Sequence, residues 1–187
     1  MNYIYSIATL NLNSSNTLAK RNLLKDFILD NDIDIAFLQE VSFEDFSFVY
    51  THNSLVNIST DRKGTAILIR KSFQYSDFIL DPSGRIVSVV VNDVNLINIY
   101  AHSGNNMKKE RDDLFTIALT VQLIKPGTLI GGDFNCILYE EDTKGPQKIF
   151  SCGLKHLVEL FALKDISKTC KVNKFTFYRG ESASRLD

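Results

Sequence analysis

The sequence predicts an α/β fold in which sheets pack on each other and helices lie outside. Three observations predict it. Strands outnumber helices, several neighbouring strands are close enough in sequence to be joined as hairpins, and 187 residues (21.2 kDa) suffice for one sizeable core but not two. A single parallel sheet fits this order less well. With three prolines, no internal repeat and no shift in composition, residues 1–187 read as one domain.

The elements follow in order. Residues 3–11 (YIYSIATLN) form a β-prone run. Over 19–30, Leu23, Leu24, Phe27 and Ile28 fall on one helical face, and Thr17 is placed to cap that helix. Residues 33–41 (IDIAFLQEV) are apolar and nearly continuous, as a strand buried on both faces is. Strands over 65–70 and 85–91 flank residues 72–83, and Asp81-Pro82-Ser83-Gly84 is a turn signal. A strand over 96–101 (LINIYA) follows the polar Asn92-Asp93 pair. A helix over 108–124 carries Leu114, Phe115, Ala118 and Val121 on one side and is ended by Pro126-Gly127. A short strand over 128–130 runs into Gly131-Gly132-Asp133-Phe134-Asn135. A helix over 154–162 and a strand over 175–178 complete the pattern.

Composition excludes several classes. Hydrophobic residues at 44% and charged residues at 23% argue against disorder and against a collagen-like fibre. The longest apolar runs fall far short of a membrane span. No basic segment precedes an apolar one at the start, so no secretory signal is expected. A net charge of −1 and a pI near 6.3 mean that no chain-wide basic field exists, so nucleic-acid binding would rest on local patches. Cys136, Cys152 and Cys170 match no metal-binding spacing and read as reduced thiols of an intracellular protein.

The informative polar residues stand at strand ends. Glu40 closes a buried apolar strand and is either a solvated carboxylate or a ligand for a hard cation. Asp133 and Asn135 lie two apart after another apolar strand. In extended geometry they share a face, with Phe134 turned into the core; taken alone, the Gly-Asp-Asn cluster reads more readily as a polar turn. Gly131 and Gly132 allow close approach of backbone or ligand. Asn11 ends the first strand. Tyr100 ends the LINIY strand, as a core aromatic or as a phenol that donates to a phosphate oxygen. His102 follows two residues on. His52 and His156 read as a loop and a helix residue. All the strand-end groups fall at the carboxyl ends of predicted strands, where loops build sites. Together they suit metal-assisted phosphodiester hydrolysis. No GxSxG, Walker or GxGxxG motif offers another chemistry.

TLNLN with Asn11, LQEV with Glu40, NIYAHSG with Tyr100, GGDFN with Asp133 and Asn135, and SRLD with Asp187 resemble, in order and spacing, the endonuclease/exonuclease/phosphatase superfamily. Further details resemble the apurinic-like endonuclease domain of non-LTR (LINE-type) retrotransposons. These are the GTAILIRK and SGRIVSV strands, the SGNN…ER-D-LF stretch and GGDFNCIL followed by Glu141-Asp142-Thr143-Lys144-Gly145. The resemblance implies a four-layer αββα sandwich of two mixed sheets with flanking helices. It implies Mg²⁺- or Mn²⁺-dependent nicking of double-stranded DNA in the nucleus, leaving a 3′-hydroxyl for a reverse transcriptase domain of the same polyprotein.

Carried over motif by motif, Glu40 resembles the metal ligand, with Asn11 beside it. Asp133 resembles the group that activates water, and Asn11 and Asn135 the amides that hold the phosphate and metal environment. Tyr100 resembles the phenol that stabilises the transition state, and Asp187 the aspartate that orients a catalytic histidine. DNA contacts are expected at Lys20/Arg21, Arg62/Lys63 and Lys108/Lys109/Arg111.

Two departures stand out. His102 and Ser103 occupy positions where the family has proline and often asparagine. The terminal Ser-Asp-His motif is not found, so the chain reads as C-terminally truncated, lacking its last strands, and is expected to bind DNA weakly and nick it poorly. The alternatives are a cellular abasic-site repair nuclease or phosphatase of the same superfamily, and a catalytically dead DNA-binding fragment.

Overall fold

The computed structural model describes residues 4–60, 63–120, 127–146, 148–169, 175–180 and 182–186. Arg62, Cys170, Asp187, Pro126 and residues 121–124 of the predicted helix lie outside the described residues. The chain groups into two compact units, 1–100 with 125–132, and 101–124 with 133–187.

In the first unit the strands are β1 (Ile7–Asn11), β2 (Ile35–Val41), β3 (His52–Ile58), β4 (Gly64–Arg70), β5 (Tyr75–Leu80), β6 (Ile86–Val91), β7 (Val94–Tyr100) and β8 (Leu129–Asp133). They form two sheets. One is mixed, in the order β1-β2-β4-β3, with β1 parallel to β2 and the other pairs antiparallel. The other runs β5-β6-β7-β8, with β5-β6 and β6-β7 antiparallel. Helix α1 (Leu18–Asp30) covers the outer face of the first sheet.

Strand β2 explains the nearly unbroken apolar run of its sequence. Ala36 and Leu38 face Leu24 and Ile28 of α1, while Ile35 and Phe37 face the second sheet and meet Val87, Val89 and Leu96. Both faces are therefore dry. Helix α1 is capped as predicted, with Thr17 Oγ1 accepting from Lys20 N at 3.3 Å. Its buried stripe is narrower than predicted. Leu23 and Phe27 are 67% and 37% exposed, because they sit about 100° around the helix from Leu24 and Ile28, past the edge of the sheet. They line a groove of about 400 Å³ with Leu10, Leu12, Phe43 and Lys20.

One polar cluster interrupts the inter-sheet core. Asn98 Nδ2 donates to the carbonyls of Leu38 and Ala66, both at 2.9 Å, and Asn98 Oδ1 accepts from Gln39 Nε2 at 2.8 Å. Gln39 Nε2 also donates to Thr9 Oγ1 at 3.1 Å. Asn98 and Gln39 are fully buried, so each bond replaces one to water and fixes where β7 crosses β2 and β4. Gly132 sits against the same strand: a Cβ there would lie 2.0 Å from Ile99 O, and its φ of +132° disfavours a side chain.

Two strands of this unit were not predicted. Both β3 (HNSLVNI) and β5 (YSDFIL) are sheet edges; all six residues of β5 are exposed, so no core imposes alternation on it, while β3 places Leu55 against one core and Val56 and Ile58 against the other. His52 is consequently not a loop residue. Its buried ring accepts from Thr51 Oγ1 at Nδ1 (2.8 Å) and donates from Nε2 to Ile33 O (3.0 Å), and burial lowers its pKa.

The second unit contains α2 (Lys108–Thr120), α3 (Cys152–Leu160), α4 (Ile166–Thr169) and a small sheet. That sheet joins β9 (Thr143–Lys144), β10 (Phe177–Arg179) and β11 (Ser182–Ser184) in the order β10-β11-β9. Helix α3 begins two residues earlier than predicted. Ser151 Oγ accepts from Leu154 N at 3.1 Å and caps it, and Asp112 of α2 accepts from Ser151 Oγ and from Gly153 N. No helix among the described residues is long and apolar enough to cross a membrane.

Asn98→Ala should lower the unfolding free energy by about 2–4 kcal/mol, because two buried carbonyls lose a donor and a cavity opens. Gly132→Ala should cost at least about 3 kcal/mol, since the obstructing atoms are backbone. Urea unfolding followed by circular dichroism measures both.

Candidate active site

The first group of predicted residues gathers at the ends of β1 and β2. The register shifts between Gln39 and Val41, and Glu40 between them has φ +52°. This bulge turns the Glu40 side chain out of the ladder. Beyond β1 the chain turns through Asn13 and Ser14, at φ +51° and +49°, and Ser14 N donates to Glu40 O at 3.1 Å. Asn11 Oδ1 accepts from Asn13 N at 2.8 Å, which directs Asn11 Nδ2 to Glu40 Oε1 at 3.0 Å. Ser14 Oγ donates to Glu40 Oε2 at 3.3 Å. The carboxylate is held at both oxygens, yet each oxygen has a second lone pair.

This donor set is hard: one carboxylate with an amide beside it. Among the described residues no three His, Cys, Asp or Glu side chains gather as a metal cluster. Mg²⁺ fits such a place, since it is commonly bound by one or two carboxylates and keeps several waters.

Tyr100 closes β7 with its ring almost fully buried. Arg85 holds it: the Arg85 carbonyl accepts from Tyr100 N at 2.8 Å, Arg85 Nη1 donates to Tyr100 O at 3.1 Å, and the guanidinium lies 4.8 Å from the ring centroid. Arg85 was not singled out in the sequence. The signal was an arginine directly before a buried strand, after a turn whose Asp81 accepts from the Arg85 and Ile86 amides.

In the second unit Asp133 and Asn135 are brought together as a turn rather than as an extended pair. Asp133 Oδ1 accepts from Asn135 N at 3.0 Å, and Asn135 has φ +48°. Asn135 Nδ2 donates to Ala101 O at 2.9 Å, and Ala101 N donates to Asp133 O at 2.8 Å. Phe134 turns inward as predicted, 6.1 Å from the Phe115 ring. Burial pushes the neighbouring Cys136 thiol up to about 12, so it is inert as a nucleophile.

The basic residues divide. Lys63, Lys108 and Lys109 are exposed, and Lys20, also exposed, donates to Leu12 O at 3.3 Å. Arg21 is largely committed to Asn16 at 2.7 Å and to the faces of Phe43 and Phe48. Arg111 does not belong to an exposed basic cluster. It is fully buried, because its guanidinium turns inward to donate to His102 O and Gly104 O.

The SRLD motif contributes a residue that the sequence reading passed over. Arg185 bonds Asp142 Oδ1 at 2.6 Å and Asp165 at 2.7 and 3.0 Å, and it also donates to Ser167. Asp142 Oδ2 in turn accepts from Tyr139 N at 2.9 Å. The Asp142 of EDTKG and the Arg185 of SRLD are thus one buried ion pair, legible only once both are placed.

A model of the Endonuclease/Exonuclease/phosphatase family matches residues 8–187. Among solved structures, TDP2 from C. elegans is 20% identical with a TM-score of 0.57, over 75% of this chain and 52% of that one. The chain thus spans about half the length of that protein. An AP endonuclease from Archaeoglobus fulgidus is 15% identical at TM-score 0.70, over 95% of this chain and 79% of the other. The endonuclease domain of TRAS1, a telomere-specific non-LTR retrotransposon, is 16% identical at TM-score 0.66, over 98% and 83%. At such identities the likeness is one of fold.

The Asp165–Arg185 pair sets a pH dependence. Burial raises the Asp165 carboxyl, but hydrogen bonds from Arg185 and Ser167 and the Arg185 charge outweigh it and hold the pKa at about 2. The unfolded value is about 3.9. The pair's contribution is therefore complete above about pH 4 and is lost as pH falls towards 2. In urea titrations across pH, the stability difference between the native sequence and Asp165→Asn should shrink over that window.

Proposed function

We propose that this chain, which belongs to the endonuclease/exonuclease/phosphatase family, is a metal-dependent DNA endonuclease domain of the non-LTR retrotransposon type. It nicks target DNA in the nucleus and leaves a 3′-hydroxyl that a reverse transcriptase domain extends. The observation that carries the reading is the Asn11–Glu40 pair, a carboxylate turned out of its strand by a bulge and held at a hydrogen-bonded 3.0 Å by an amide. The retrotransposon assignment draws support from the SGRIVSV strand, the GGDFNCIL stretch and the fold likeness to the TRAS1 domain.

The residues take these roles. Glu40, with Asn11 beside it, holds Mg²⁺ or Mn²⁺, which supplies Lewis acidity at a phosphoryl oxygen when bound. Asp133 orients the attacking water and accepts its proton. Asn135 holds the phosphate, with its side chain set by Ala101 O. Tyr100 donates to a non-bridging oxygen as charge develops. Water adds to phosphorus through its oxygen and gives its proton to Asp133, while the bond to the 3′ oxygen breaks and that oxygen takes a proton from solvent to become the 3′-hydroxyl. Asp187 orients the imidazole of a histidine, as in the family motif it resembles. Lys20, Lys63, Lys108 and Lys109 contact backbone phosphates.

Glu40→Gln and Asp133→Asn should each reduce nicking of supercoiled plasmid at least about hundredfold, with melting temperatures changed by only a few degrees. Glu40→Gln should also abolish Mn²⁺ binding followed by electron paramagnetic resonance, a readout independent of turnover. Unchanged cleavage by Asp133→Asn overturns the mechanism. Strong preference for an abasic duplex over an intact one would favour a repair nuclease, the reading to which the Archaeoglobus AP endonuclease fold is akin. Binding to duplex DNA should weaken with salt by a log–log slope of about −0.9 per phosphate contacted, and Lys20→Glu with Lys108→Glu should flatten it.

A further inference from the structure

Arg111 is the largest of the fully buried side chains, and no carboxylate among the described residues makes an ion pair with it. Its Nη1 donates to His102 O at 2.8 Å and to Gly104 O at 3.1 Å, while its Nε has no partner. A buried cation with an unused donor is expensive, and an apolar side chain of similar length would avoid the cost. What the charge achieves is visible in where its bonds go: both acceptors belong to the segment directly after Ala101.

Ala101 is the residue to which the Asp133–Asn135 turn is tied. Its N–H donates to Asp133 O, and its carbonyl accepts from Asn135 Nδ2. The same turn is also tied by the Asx bond from Asn135 N to Asp133 Oδ1 and by Phe134 N, which donates to Leu186 O at 2.8 Å. Gly104, at φ +88°, turns the chain so that its carbonyl and that of His102 converge on one nitrogen. Without the guanidinium both carbonyls would be left to find other donors, and the segment carrying Ala101 would loosen.

We propose that Arg111 is a positioning residue: its guanidinium clamps segment 101–104, and through Ala101 it fixes the orientation of Asp133 and Asn135. The assignment of a catalytic task to those two residues rests on the function proposed above, whereas the clamp itself does not. Arg111 touches neither substrate nor metal in this scheme. Its work is to hold the groups that do, much as outer partners orient reacting residues elsewhere.

Arg111→Met and Arg111→Lys test the clamp with two readouts. By amide hydrogen exchange, Arg111→Met should speed exchange at Ala101 and Asn135 at least about tenfold while Leu157, inside α3, is unaffected. In nicking assays kcat should fall at least about tenfold with KM within about twofold, because positioning is lost but DNA contacts are not. Arg111→Lys, which keeps the charge but not the fork, should lie between. Equal acceleration at Leu157 would show a general loss of stability and overturn the proposal. So would unchanged exchange at Ala101 and Asn135, or an unchanged kcat. If Arg111→Met does not fold, Arg111→Lys decides by the same two criteria. If the native chain nicks too poorly to measure, the exchange data alone decide the clamp, and unchanged exchange at Ala101 and Asn135 overturns it.

Discussion

The buried carboxamide of Asn98 holds the two sheets of the first unit in register. Apolar packing between Ile35, Phe37, Ile67, Val87, Val89 and Leu96 is strong but tolerant of sliding, because dispersion has little directional preference. Asn98 is not tolerant. Its carboxamide must reach two carbonyls of one sheet and the Gln39 side chain at 2.8–2.9 Å, and a shift of one residue would bury all of these groups without partners. Gly132, which has room for no Cβ beside Ile99, holds the neighbouring strand equally close. Where β2 ends relative to β7 follows from these contacts, and with it the placement of Glu40 and of Tyr100 on their own strands.

Local backbone strain then aims the polar groups. Glu40, Asn13, Ser14 and Asn135 all have positive φ, a region that non-glycine residues visit at some cost. Each is stabilised by a bond specific to that geometry, such as Ser14 N to Glu40 O or Asn135 N to Asp133 Oδ1. In the second unit two buried guanidinium groups do comparable work by different means. Arg185 is fully paired, with Asp142 and Asp165, and ties the EDTKG turn to the last described strand. Arg111 is paired only with carbonyls and ties one loop.

Legibility in the sequence tracked burial. The run 33–41 announced β2 because both its faces are covered, and residues 85–91 announced β6 for the same reason. The edge strands β3 and β5 announced nothing: all of β5 is exposed, and β3 sets Leu55 against one core and Val56 and Ile58 against the other, so neither shows the alternation of a single buried face. Leu23 and Phe27 were read into the buried stripe of α1 because periodicity gives the angle of a residue around a helix but not the width of the surface it meets. The candidate site was legible for a related reason. A carboxylate or amide at the end of an apolar run is conspicuous, so Asn11, Glu40, Asp133 and Asn135 stood out.

The sequence by itself determined which stretches are apolar on both faces, where polar groups interrupt them and, through five ordered motifs, the family. These are properties of neighbours along the chain, and local sterics and hydrophobicity suffice to express them. Only the tertiary structure decided which charges are spent internally. Arg111 and Lys109 stand two apart in one charged run, yet one is fully buried and the other exposed. Asp142 and Arg185 are separated by 43 residues and form one ion pair. Nothing local distinguishes a guanidinium that will meet a phosphate from one that will meet carbonyls of its own chain. Desolvation and the position of distant partners make that distinction, and they exist only once the chain has folded.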